Sequence, residues 1–285
     1  MDVPNAMPET PAAGQGIRGR ALQLNYHPGQ PFVIDGQSIE LQSGRISALI
    51  GPNGSGKSTL LRALARQLIP VSGCVLLNGR DIATVPSREL ARNIGILSQE
   101  HVAPGDLTVE DLVYHGRFPH RGLFESLTPE DSAAVEDALR MANIGAVRHC
   151  RLTELSGGQR QLAWIAMALA QSARYLLLDE PTTFLDLANQ FDVMDLVRRL
   201  NRELGRTIVL VMHDINLAAR YADYLFAMRG GRIVASGPVE QVLTVETLRE
   251  VFEVETAILR DVPRQTLVCI PVGKIANEPA GAQGD

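Results

Sequence analysis

The chain has 285 residues, 45% of them apolar and 21% charged, which suffices to bury a core and excludes a chain disordered throughout. Lys and Arg total 27 against 32 Asp and Glu, a net charge of −5, so no basic excess draws it to nucleic acid or to an anionic membrane. Cys74, Cys150 and Cys269 form no CxxC pair and have no His at zinc-site spacing, which points to a reducing compartment. The opening stretch, MDVPNAMPETPAAGQG, has neither the basic nor the apolar region of a signal peptide, and no segment reaches the ~18 apolar residues of a membrane span. Residues 1–17 are therefore expected to be a flexible tail, and the chain to stay cytosolic.

In chain order, the apolar run Arg45 to Ile50 stops at GPNGSGKST, after which LLRALARQLI carries leucines at helical spacing until Pro70. That is strand, glycine loop, helix. Val75 to Leu77 followed by Asn78-Gly79 predicts a strand and turn, and Ile94 to Leu97 a further short strand. From Thr108 to about Met141 the pattern is mostly helical, interrupted at Arg117 to Gly122. Tyr175 to Leu178 and Thr207 to Met212 are continuous apolar runs flanked by helical stretches, as buried parallel strands should be. The class is α/β with a parallel sheet.

Gly51-Pro52-Asn53-Gly54-Ser55-Gly56-Lys57-Ser58 satisfies G-x-x-x-x-G-K-[ST] between a predicted strand and helix, a context that an ordinary glycine-rich turn lacks. The glycines let successive N–H groups turn toward phosphate oxygens, and the following helix points its positive end at the same anion. Lys57 is placed to bridge β- and γ-phosphates and Ser58 to hold Mg²⁺. Asp179 and Glu180 close the strand at Tyr175, the edge where open α/β sheets keep their ligands. Asp179 is expected to meet Mg²⁺ through water, and Glu180 to polarise a water attacking the γ-phosphate. Ser156, Gly157, Gly158 and Gln159 open an apolar helix and form a second anion-binding surface; alone, Ser-Gly-Gly would be no more than an N-cap.

Across residues 18–258 these motifs, in this order, resemble the ATP-binding subunits of ABC transporters: LSGGQ matches the signature, GPNGSGKST the Walker A loop and YLLLDE the Walker B strand. The resemblance implies a P-loop NTPase (RecA-like) core with an antiparallel β subdomain and a helical subdomain at about 100–155, followed by a C-terminal extension at 259–285 with a flexible tail. It implies ATP and Mg²⁺ as ligands, with residues Gly51 through Ser58 and Thr59 around the phosphates and Tyr26 stacked on adenine. Gln99 would sense Mg²⁺ and γ-phosphate, His213 would be the switch histidine that contacts the γ-phosphate, and Glu180, His213 and Lys57 would be the catalytic residues. Asp186 would span a dimer interface, and Trp164 is assigned to the core. Two copies would form a head-to-tail homodimer, each ATP lying between one phosphate loop and the other copy's signature.

Gly116-Arg-Phe-Pro-His120, Asp179 to Asp186 and His213-Asp-Ile-Asn216 are similar to the ATPase subunits of bacterial importers of ferric siderophores, with haem and vitamin B12 importers as near relatives. Integral-membrane permease subunits, and indirectly a periplasmic or lipoprotein solute-binding protein, are the partners this implies, with the subunit peripheral on the cytoplasmic face of the inner membrane. No nucleic acid is expected. Soluble ABC ATPases that act on DNA or ribosomes are the alternative of a different class, but they carry a long inserted coiled coil or two ATPase modules, and this chain has one phosphate loop and no sustained heptads. A small-molecule P-loop kinase would leave LSGGQ unexplained.

Overall fold

The computed structural model describes residues 16–99, 106–122, 125–263 and 265–275. All but the end of the expected N-terminal tail, and the last ten residues, lie outside them. The chain begins with β1 (Ile17–Leu24), β2 (Ile34–Glu40), β3 (Ile46–Ile50), α1 (Lys57–Leu64), β4 (Ser72–Leu77) and β5 (Arg80–Asp81). It continues through α2 (Ser87–Asn93), β6 (Ile94–Leu97), α3 (Val109–His115), α4 (Pro129–Met141) and α5 (Gly157–Ala170). Then come β7 (Tyr175–Asp179), α6 (Leu187–Leu204), β8 (Thr207–Val211), α7 (Ile215–Tyr221), β9 (Tyr224–Arg229) and β10 (Arg232–Pro238). Two short helices, α8 (Val239–Val242) and α9 (Val245–Phe252), precede a closing hairpin of β11 (Val254–Arg260) and β12 (Leu267–Lys274).

The central sheet has the order β10-β9-β3-β8-β7-β6, parallel except for the β10-β9 edge pair. Both of its faces are covered, which is why β3, β7 and β8 read as unbroken apolar runs. Alternate side chains supply two cores. Ala48, Ile50, Leu176, Leu178, Ile208 and Leu210 face the helices α3 to α7, while Leu49, Tyr175, Leu177, Val209 and Val211 face α1, α2 and the antiparallel sheet β2-β1-β4-β5. Trp164, expected in the core, is only partly buried and packs against the first of these clusters.

Between β6 and α5, the helices α3 and α4 pack on α5. Capping boxes start α3 and α4, from Thr108 to Asp111 and from Thr128 to Asp131, so each N-terminus satisfies its own orphan donors. The interruption at Arg117 to Gly122 is not a solvated loop. Arg117 is buried, its Nε donating to Asp131 at 2.8 Å and its Nη1 to the Ala170 carbonyl at 2.7 Å. His120 Nε2 lies 2.8 Å from the Gln171 carbonyl. At Gly116 a Cβ would fall 2.1 Å from the Met167 carbonyl, so the end of α3 touches the α5 backbone as only glycine can. The stretch thus pins the helical subdomain to the C-terminal end of α5, leaving Phe118 turned out to solvent.

After Phe252 the chain goes on as the β11–β12 hairpin. It docks on α7 through a two-way bond, Cys269 N–H to Asn216 Oδ1 at 2.7 Å and Asn216 Nδ2 to the Cys269 carbonyl at 3.1 Å. Among the described residues, no helix is long and apolar enough to cross a membrane.

Candidate active site

Four neighbouring strands of the parallel sheet, β3, β8, β7 and β6, end at one edge. Their register sets Leu49 and Asp179 each level with Val211, and Leu97 level with Leu178. The glycine loop leaves β3, His213 follows β8, Asp179 and Glu180 end β7, and Gln99 follows β6. Residues more than 160 positions apart in sequence therefore meet at the strand ends.

Gly51 opens the loop with no room for a side chain, since a Cβ there would lie 2.2 Å from the Met228 carbonyl oxygen. Gly56 (φ +96°) caps α1 in the left-handed region, leaving the first N–H groups of the helix directed at the cleft. Lys57 is buried, and its Nζ donates to the Gly51 carbonyl at 2.8 Å and the Pro52 carbonyl at 3.0 Å. Burial pushes the Lys57 pKa below the ordinary lysine value, while the carboxylates of Glu180 and Asp179 work against that fall.

Ser58 Oγ donates to Asp179 Oδ1 at 2.7 Å, and Asp179 Oδ2 is buried with no hydrogen-bond partner. Burial raises the Asp179 carboxyl above the usual aspartate range, with the Ser58 bond opposing it. A buried carboxylate oxygen left orphaned beside a hydroxyl, at the mouth of a phosphate loop, is a donor set that suits Mg²⁺.

Glu180 itself stands in the left-handed region at φ +53°, a conformation uncommon for a non-glycine residue and frequent at functional sites. Its carboxylate gathers three neighbours. Gln99 Nε2 donates to Oε2 at 2.7 Å, Thr183 Oγ1 donates to the same oxygen at 3.1 Å, and His213 Nε2 contacts Oε1. The cleft above has a volume of about 720 Å³ and is lined by residues Asn53 to Thr59 together with Tyr26, Val33, Gln99, Glu180, Thr183 and His213. Tyr26 is half exposed, with its hydroxyl 2.9 Å from Thr59 Oγ1. Gly51, Pro52 and Asp179 are not in the lining and act on it from behind, the first two through carbonyls that hold Lys57.

Val33 and Thr183 were not singled out from the sequence. Thr183 stands three positions after Glu180, and that short spacing was the available signal; for Val33 there was none.

The signature residues lie elsewhere. Ser156 caps α5 with a capping box, accepting from the Gln159 N–H at 3.2 Å while Gln159 Oε1 accepts from the Ser156 N–H at 3.1 Å. Gly158 is required by packing, because a Cβ would meet Asn189 at 2.2 Å, whereas at Gly157 a Cβ would make only an ordinary contact with Leu185 at 3.9 Å. Asp186 caps α6, accepting from the Asn189 N–H at 2.8 Å. On either side of it Phe184 and Leu187 are exposed to 95% and 68%. None of residues 156–159 or 186 lines the cleft of its own chain.

A glycine loop on a buried lysine, a carboxylate pair at the end of the neighbouring strand and a glutamine and histidine converging on the second carboxylate define a nucleotide-hydrolysing P-loop ATPase. The chain belongs to the ABC transporter family, whose model matches residues 34–183. It is 43% identical over 93% of its length to the ferric enterobactin transport ATP-binding protein of Escherichia coli, 97% of which is covered. It is 44% identical to a siderophore transport system ATP-binding protein of Bacillus subtilis, over 90% of this chain and 93% of that one. The achromobactin transport ATP-binding protein of Dickeya dadantii is also 44% identical, over 90% of this chain and 95% of that one. Among solved structures it superposes with a TM-score of 0.78 and 28% identity on a subunit of a metal-chelate type ABC transporter in an inward-facing conformation, covering 91% of this chain and 98% of that one. A dimeric bacterial ABC transporter cassette matches with a TM-score of 0.69 and 28% identity, over 78% of this chain and 98% of that one.

Proposed function

We propose that two copies of this chain hydrolyse ATP at a head-to-tail interface and thereby energise import of a ferric siderophore through integral-membrane permease subunits at the cytoplasmic face of the inner membrane. The observation that carries the ATPase reading is the convergence of Gln99, Thr183 and His213 on Glu180 beside the phosphate loop. The cargo is supported by the relatives, whose names place them in siderophore transport.

In this reading residues 53–59 bind the phosphates through loop N–H groups, and Lys57 leaves the Gly51 and Pro52 carbonyls to meet β- and γ-phosphate oxygens. Tyr26 stacks against the adenine ring at the open end of the cleft. Ser58, Asp179 and Gln99 would hold Mg²⁺, which when bound neutralises charge on the phosphate oxygens. Glu180 orients a water and accepts its proton as the water oxygen bonds to the γ-phosphorus, while the bond to the β-phosphate oxygen breaks and leaves ADP. His213 contacts the γ-phosphate, and the partner copy's signature loop closes over it from the far side. The exposed Phe184 and Leu187 beside Asp186 supply apolar surface for that closure, and Phe118 in the helical subdomain supplies it for the permease. A periplasmic or lipoprotein solute-binding protein completes the importer without touching this subunit.

The test is uptake of labelled ferric siderophore, haem and cobalamin by cells lacking the gene, complemented with wild type or Lys57→Ala. Siderophore uptake restored by wild type alone is the expected result. Restoration of haem or cobalamin uptake instead would reassign the cargo, and unchanged uptake of all three would sink the import reading.

A further inference from the structure

At the end of the sheet opposite the phosphate loop, where β3 begins at Ile46, a cavity of about 350 Å³ opens beside α6 and α7, with Arg198, Arg202, Arg220, Tyr221, Asp223 and Thr266 in its wall. Its three arginines have no ion-pair partner among the described residues. Two are set against aromatic rings, and Arg198 Nη2 also donates to the Arg220 carbonyl at 3.3 Å. The Arg198 guanidinium sits 4.1 Å from the centre of the Tyr221 ring, and Arg220 sits 4.7 Å from that of Phe191. Arg220 Nε is buried without an acceptor. The one carboxylate in the wall is already engaged, since Asp223 Oδ2 accepts from the Ile46 N–H at 2.9 Å and Oδ1 lies 3.7 Å from Arg45. Asp195, nearby, takes the Tyr221 hydroxyl at 2.9 Å. Three cations gathered about a hollow repel one another, and ring stacking orients guanidinium groups without neutralising them. Against one engaged carboxylate, the wall is left with an excess of positive charge.

We propose that this cavity binds a compact polyanion, a small molecule that presents two or more phosphate or carboxylate oxygens to Arg198, Arg202 and Arg220. Guanidinium forks match both kinds of oxygen, and the volume admits a molecule the size of pyrophosphate or citrate. The site also has a mechanical address. Arg220 lies in the last turn of α7, the helix whose N-cap, Asp214, directly follows His213. Thr266 precedes β12, the strand that Asn216 of α7 holds at Cys269. A bound anion would fasten the C-terminal hairpin to α7 and so restrain the helix behind His213, giving ATP turnover an input separate from the nucleotide cleft.

The experiment is titration calorimetry of the full chain with pyrophosphate and, separately, with citrate, the phosphate loop first saturated with Mg²⁺ and a non-hydrolysable ATP analogue. Binding of that analogue is followed in the same samples and reports on the nucleotide site independently. Saturable binding of either probe, weakened about tenfold in Arg202→Gln, is the expected result. Which probe binds tells phosphate from carboxylate. Arg202 is solvent-facing and packs on no core, so its variant stands even where Arg220→Gln unfolds. The same anion should alter the ATPase rate of wild type and lose most of that effect in Arg202→Gln. No saturable binding of either probe at millimolar concentration, or equal binding in wild type and Arg202→Gln, would overturn the proposal.

Discussion

Lys57 and Glu180 are both held by their own chain before any nucleotide is considered. Lys57 rests on two loop carbonyls, and Glu180 carries a glutamine, a threonine and a histidine. Glu180→Gln is expected to keep Mg-ATP binding and to lower turnover by about 100-fold or more, as loss of a general base does. Nucleotide binding and phosphate release measured side by side check this, and normal hydrolysis would remove Glu180 from its role. The site residues were legible because each sits inside a motif whose order is itself a signal. That Gln99 and His213 meet on one carboxylate was not, because it depends on the register of three parallel strands, which no local pattern encodes. Thr183 escaped for the same reason.

Among the elements, α3 and α4 owe their placement to a buried ion pair. Arg117 and Asp131 have side chains only 9% and 3% exposed, and Asp131 is also the residue that completes the capping box of α4 with Thr128. Burial alone would raise the Asp131 carboxyl, but the Arg117 bond and the Thr128 cap hold it below the usual aspartate value of 3.8. A folded-state value lower than the unfolded one contributes stability that is present above 3.8 and is lost as acid carries the pH down through the folded value. Arg117→Ala is expected to cost about 3–5 kcal/mol at neutral pH by stranding a buried charge. In that variant the unpaired carboxyl titrates higher, so thermal melts at neutral and acid pH should show the difference from wild type shrinking as the pH falls. An equal difference at both pH values would mean that the pair is not what holds the helices. Helix periodicity up to about Met141 made α4 legible. How Gly116 to His120 is anchored was not legible, because an arginine beside a Phe-Pro pair gives no hint that a partner fourteen residues later will bury it. The β11–β12 hairpin was equally hidden, since what fixes it is a side-chain amide on α7.

At the scale of the whole molecule, the cleft and the signature belong to different surfaces of one chain, and the proposed mechanism therefore takes two copies to complete a site. Ser156→Arg in one copy of a mixed dimer is expected to impair hydrolysis at the site holding the other copy's Lys57, with little effect on nucleotide binding to its own loop. Paired with Lys57→Ala in the same chain or in the opposite one, it gives two kinds of mixed dimer whose ATPase rates should differ. Equal rates would contradict a shared site. Phosphate loop, carboxylate pair and signature order made the family and its fold readable, whereas the exposed Phe184 and Leu187 look in sequence like any two apolar residues. The tie between Glu180 and His213 has a consequence for the resting cell. Without nucleotide both Glu180 carboxylate oxygens are engaged, and in the proposed mechanism a γ-phosphate that draws the histidine away is what frees one of them. On the proposed reading an empty cleft therefore keeps its proton acceptor stoppered, and the arriving nucleotide itself is what readies the site.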